Sequence, residues 1–228
     1  MFGLFRRRKN ADDEVSEKNV NKIVDYTIIS PTATKKELER AMCVAYKNRY
    51  YSVVVNPINV EFARSYIDLK LKGMLKLVAV VGFPLGENCL DTKIYEIKKA
   101  LAQGADEVDV AISVSRIKMG EYSYVKNEVS RIAKVCRKAV VKIIIESSSL
   151  NRTELSKVVS ICAKYKVNFV QTSTGFAGGG ATIDDIELIK NTANKKCAVK
   201  ASGGIENRNQ AIIMLRAGGT RIGPSRSG

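Results

Sequence analysis

Phe169-Val170-Gln171-Thr172-Ser173-Thr174-Gly175-Phe176 is followed at once by Gly178-Gly179-Gly180-Ala181-Thr182. Phe169 and Val170 are strand formers, and the glycines allow a backbone to pass close to a ligand or to another backbone. Thr182 before Asp184 and Asp185 gives a capped, acidic first helical turn. The stretch therefore reads as buried strand, glycine-rich turn and helix start. α/β proteins place chemistry at such strand-to-helix steps.

The same grammar repeats on either side of it. Strands are expected at Asp25–Ile29, Tyr51–Val55, Leu75–Val81, Asp106–Ile112, Val140–Glu146, Phe169–Thr172, Ala198–Ala201 and Thr220–Ile222. Most are continuous apolar runs, as strands covered on both faces should be. Amphipathic helices are expected between them: from Thr34, from Val60 to Leu71, from Asp91 to Gln103 and from Tyr122 to Lys138. Others start at Asn151, run from Ile183 to Thr192 and from Asn207 to Ala217, and a short helix around Val20 leads into the first strand. Eight alternations predict an α/β fold of the (β/α)8 TIM-barrel kind. After Ile222 only Gly-Pro-Ser-Arg-Ser-Gly remains, so the last outer helix is expected to be short, missing or supplied by a partner subunit.

Composition fits one domain. The chain has 228 residues, of which 45% are hydrophobic, enough for one barrel. No apolar run approaches the length of a spanning helix. Five scattered cysteines without a CxxC pair read as reduced thiols, which points to the cytoplasm. Histidine is absent, which excludes His-based metal sites and Ser-His or Cys-His nucleophile pairs. Acid–base work falls to Asp, Glu, Lys, Tyr or water. No metal and no cofactor is expected. The net charge of +15 suits anionic partners, although basic residues spread along helices also make ordinary solvated faces. Residues 1–16 form a distinct basic tail, with Phe2, Leu4 and Phe5 before Arg6-Arg7-Arg8-Lys9. It is expected to be disordered, or to meet an anionic membrane or nucleic acid. Residues 17–228 form the barrel.

In a barrel of this kind the site lies at the carboxyl ends of the strands. Polar residues near those ends are Asp25, Thr27, Asn56, Asp109, Lys142, Gln171 and Lys200. Buried lysines and aspartates are costly unless paired. They are either functional or structural ion pairs, Asp109 with Lys142 or Lys200. Gly175, Gly203-Gly204 and Gly223 with Ser225 follow strands six, seven and eight and could cradle a phosphate. Simple tight turns are the alternative.

Several motifs, in order and spacing, resemble the deoxyribose-phosphate aldolase family: Asp25-Tyr26-Thr27, Gly82-Phe83-Pro84-Leu85-Gly86, Gly104 to Asp109, Val141 to Glu146, Val199 to Ile205, and Thr220 to Gly223. The likeness covers about Val20 to Gly223. It implies catalytic roles for Asp109 and Lys200, substrate binding by Asp25, Thr27, Lys142 and Thr172, and a phosphate cradle at Gly175, Gly203, Gly204, Gly223 and Ser225. It implies cleavage of 2-deoxy-D-ribose 5-phosphate to acetaldehyde and D-glyceraldehyde 3-phosphate, with a phosphorylated sugar or other small anion as ligand. A homodimer is a separate expectation. The family carries Lys-Thr-Ser-Thr-Gly where this chain has Gln171-Thr172-Ser173-Thr174-Gly175, and that lysine forms the Schiff base. A carboxamide nitrogen is not a nucleophile, because its lone pair is delocalised. The expectation is an inactive or strongly impaired aldolase that retains sugar-phosphate binding. The alternatives are a lyase using Lys200 and a non-enzymatic protein recruited through its basic tail. Glu206, Pro224, Arg226 and Ser30 also depart from the family pattern.

Overall fold

The computed structural model describes residues 17–225. The basic tail and Arg226 lie outside the described residues. Eight strands form one parallel sheet in sequential order: β1 (Asp25–Ile28), β2 (Ser52–Val55), β3 (Lys76–Val81), β4 (Glu107–Ala111), β5 (Val140–Ile144), β6 (Phe169–Gln171), β7 (Ala198–Ser202) and β8 (Arg221–Gly223). A parallel bridge from Val24 to Ile222 joins the first and last strands, so the sheet curls into a nearly closed barrel.

Helices cross over outside it: α1 (Lys35–Lys47), α2 (Val60–Leu71), α3 (Leu90–Ala102), α4 (Val114–Lys118), α5 (Tyr122–Val135), α6 (Arg152–Lys164), α7 (Ile183–Ala193) and α8 (Arg208–Ala217). The capping boxes at Thr34, Asn151 and Asn207 each satisfy orphan N–H groups with a Glu or Gln three residues on, and so fix where α1, α6 and α8 begin. Each helix turns an apolar stripe to the sheet; Ile186 and Ile189 of α7 are fully buried. No helix follows β8 among the described residues. A 3-10 turn over Glu17–Ile23 packs against α8, with Val20 buried.

Two local expectations need correction. The helix from Tyr122 stops at Val135, because the chain turns through Cys136 and Ala139 into β5. The short α4 was not expected; Ser113 caps it by accepting from the Arg116 N–H. No described helix is long and apolar enough to cross a membrane.

Strand alternation sends one set of side chains outward against the helices and the other into the barrel. The outward set joins the main apolar core. Ile29, Val54, Val78 and Val80 make a small separate cluster with Phe83. The rest of the interior is polar: charged side chains stand beside Ser52, Gln171 and Ser202.

Candidate active site

Three acids and three bases meet inside the barrel: Asp25, Glu107, Asp109, Lys142, Lys200 and Arg221. All are buried. Lys142 Nζ lies 2.5 Å from Glu107 and 2.8 Å from Asp109. Lys200 Nζ lies 2.6 Å from Asp109 and 2.8 Å from Asp25. Arg221 bridges Asp25 at 2.9 Å and Glu107 at 3.2 Å, and its guanidinium stacks 3.5 Å from the centre of the Tyr51 ring. The formal charges cancel, which is how such a group survives burial. Burial by itself would raise the Asp25 carboxyl, but Lys200, Lys142 and Arg221 together hold it well below the usual carboxylate range. Burial would lower the Lys142 ammonium, yet Asp109, Asp25 and Glu107 push it above the ordinary lysine value.

Above this floor opens a cavity of about 730 Å³. Asp109, Gln171, Lys200 and Thr27 reach it from four strands. Gln171 pairs in register with Lys200, so the two side chains stand side by side. Gln171 is 5% exposed and its amide Oε1 has no hydrogen-bond partner. Ser173 Oγ, in the same wall, is also buried without a partner.

The rim is glycine-rich. Gly175, Gly178–Gly180, Gly203, Gly204, Gly223 and Ser225 all line the cavity. At Gly180 the reason is a close approach: a Cβ there would sit 2.5 Å from the Gly203 carbonyl oxygen. Gly203 adopts φ +82°, a backbone state that favours glycine. Thr172 donates to Ser202 O and accepts from Ser202 N–H, tying the ends of β6 and β7 together.

The candidate residues thus divide. Asp109, Gln171, Lys200, Thr27, Gly175, Gly203, Gly204, Gly223 and Ser225 share the cavity wall. Asp25 and Lys142 lie beneath it in the ion-pair floor, and Thr172 is committed to the β6–β7 link. Both anticipated ion pairs of Asp109 are present. Glu107 and Arg221 were missed as site-forming residues, although Glu107 stands two positions from Asp109 on one strand and so faces the same side. Glu206 also lines the cavity.

The family model for DeoC/LacD family aldolases matches residues 17–221. The chain is 39% identical over 209 residues to a deoxyribose-phosphate aldolase of Thermococcus gammatolerans, covering 91% of this chain and 92% of that protein. It is 40% identical over 215 residues to one from Clostridium perfringens, covering 93% and 94%. A solved deoxyribose phosphate aldolase from Aeropyrum pernix, described as having a unique tetrameric structure, superposes with a TM-score of 0.83 at 30% identity, covering 92% of this chain and 88% of that one.

Proposed function

The chain belongs to the DeoC/LacD aldolase family, and on that basis we propose a barrel of deoxyribose-phosphate aldolase type that binds a sugar phosphate but has lost Schiff-base chemistry or nearly so. The family reaction breaks the C2–C3 bond of 2-deoxy-D-ribose 5-phosphate. It needs an amine that adds to C1 and expels water as an iminium, which accepts the electrons of the broken bond. The observation that carries the reading is the Gln171 carboxamide at the end of β6 inside the cavity. Its nitrogen cannot form that iminium. Asp109 and Lys200 beside it are the residues that would move protons, and the glycine rim would receive the phosphate. The ligand is a phosphorylated sugar or another small anion, and the expected assembly is a homodimer.

The test is borohydride trapping with 2-deoxyribose 5-phosphate, read by intact mass, together with acetaldehyde release. The chain as it stands should give neither. Gln171→Lys should give an adduct on residue 171 and measurable cleavage. Brisk turnover by the unaltered chain would sink the reading.

A second reading keeps activity and makes Lys200 the nucleophile, since it lines the same cavity. Against it, the Lys200 nitrogen is shared by Asp25 and Asp109. An adduct on Lys200, lost in Lys200→Met, would favour this reading.

A further inference from the structure

Away from the cavity, the surface formed by α5 and α6 is cationic. Between Tyr122 and Asn168 the acids are Glu128, Glu146 and Glu154, and none is exposed. Each is engaged: Glu128 with Lys93, Glu146 with Thr174 and Glu154 with Lys118. Lys126, Lys134, Arg137, Lys157, Lys164 and Lys166 are all exposed. The ion pairs formed among the described residues of these two helices involve Arg131, Glu128 and Glu154, not these six cations.

Their spacing arranges them in rows. Tyr122, Lys126, Ser130 and Lys134 recur every fourth residue along α5, and Lys157, Ser160 and Lys164 follow one stripe of α6. Residues three and four apart share a helix face. The two helices pack side by side. The groove between them holds a cavity of about 500 Å³ lined by Tyr122, Lys126, Ser156, Lys157, Ser160 and Lys164. A second cavity, of about 400 Å³, is lined by Ser130, Lys134, Arg137 and Lys166, toward and past the C-terminal ends of the two helices. Asp91 of α3, paired with Arg131 of α5, lies on the side of α5 that packs against α3.

We propose that the α5–α6 groove is a binding track for a single nucleic-acid strand, read through its phosphates. Ammonium groups alternating with hydroxyls are the donors that phosphodiesters accept. The length fits: α5 runs about 20 Å at 1.5 Å per residue, the extent of about six phosphates of a stacked strand. The Tyr122 ring lies beneath the Lys157 ammonium, 4.8 Å from its centre, so the track offers charge rather than base stacking and should bind with little sequence preference. A membrane surface fits less well. None of the large apolar side chains that the described surface exposes lies between Tyr122 and Asn168, and interfacial binding needs such an anchor.

The test uses the full chain and a labelled 20-nucleotide single strand, followed by anisotropy across a salt series. Binding should weaken with salt, at a log–log slope of about −0.7 for each phosphate neutralised. The triple variant Lys126→Glu, Lys157→Glu, Lys164→Glu should lose about tenfold or more in affinity, with a shallower slope. The control Lys36→Glu, Lys70→Glu, Lys98→Glu makes the same change in net charge on other exposed helix positions and should lose much less. Thermal melts confirm that both variants are folded, and a Lys→Gln version of the first triple should show a smaller loss in the same direction. Equal losses in both triples would overturn the proposal, as would absence of binding at low salt. So would tighter binding to phosphatidylserine vesicles than to the strand.

Discussion

Asp25 shows what one buried carboxylate does here. One oxygen accepts from Ser52 Oγ at 2.6 Å and from Arg221 at 2.9 Å, while the other lies 2.8 Å from Lys200. Removing its charge would leave those cations in excess inside the barrel. Asp25→Asn should therefore cost about 3–5 kcal/mol, read by urea denaturation at neutral pH. The sign with pH follows from the depressed folded pKa. The stabilisation is complete above the unfolded value of about 3.9 and is lost as pH falls below it toward the folded value. The gap between the natural chain and Asp25→Asn should hence narrow in acid; a gap unchanged at pH 3 would refute this account. Gln171 raises the opposite question, of a polar group without a partner. Its amide oxygen is buried and unbonded, at a cost of roughly 1–3 kcal/mol. Gln171→Met should be neutral or stabilising in a thermal melt, while weakening retention of any ligand the amide holds. Both residues were visible in the sequence as polar groups at strand ends. That Gln171 borders open space while Asp25 lies in a closed floor was not.

The elements that shape the site are held by contacts of two kinds. Backbone meets backbone at Gly180 and Gly203, where a Cβ on Gly180 has no room. Gly180→Ala should push the loops after β6 and β7 apart. The expected cost is about 1–3 kcal/mol in stability, with weaker binding of 2-deoxyribose 5-phosphate by calorimetry. Side chain meets side chain between α3 and α5. There Lys93, fully buried, pairs with Glu128 at 2.6 Å and also donates to the Gly86 carbonyl. This pins the loop that carries Phe83 to the cavity wall. Lys93→Met should cost about 3–5 kcal/mol by leaving Glu128 unpaired. Adding Glu128→Leu should recover much of that loss; no recovery would mean that the Gly86 contact is what matters. The helix starts were legible because Thr34, Asn151 and Asn207 announce them. The short α4 was not, since five residues carry too little periodicity, and its position rests on Ser113 and on the Glu87 carboxylate that accepts from Ser113 and Ser115.

For the molecule as a whole, a ligand that binds only the folded barrel must stabilise it by mass action. If the cavity holds a sugar phosphate, 2-deoxyribose 5-phosphate at about a hundred times its Kd should add roughly 2.7 kcal/mol. The thermal midpoint should rise in the unaltered chain. No shift at millimolar ligand would remove the binding half of the proposed function. The barrel itself was written in the chain at short range. Eight apolar runs, the caps between them and the glycine turns each depend on a few neighbouring residues, so periodicity carries them, and the family likeness rests on local motifs of the same kind. The fate of each polar side chain was not written there. Asp109 and Lys200 meet across 91 positions of sequence and Asp25 and Arg221 across 196. Which charges face a ligand and which only balance one another follows from how the strands stagger when the barrel closes. Register and burial act between distant residues, and no local pattern of residue types encodes them.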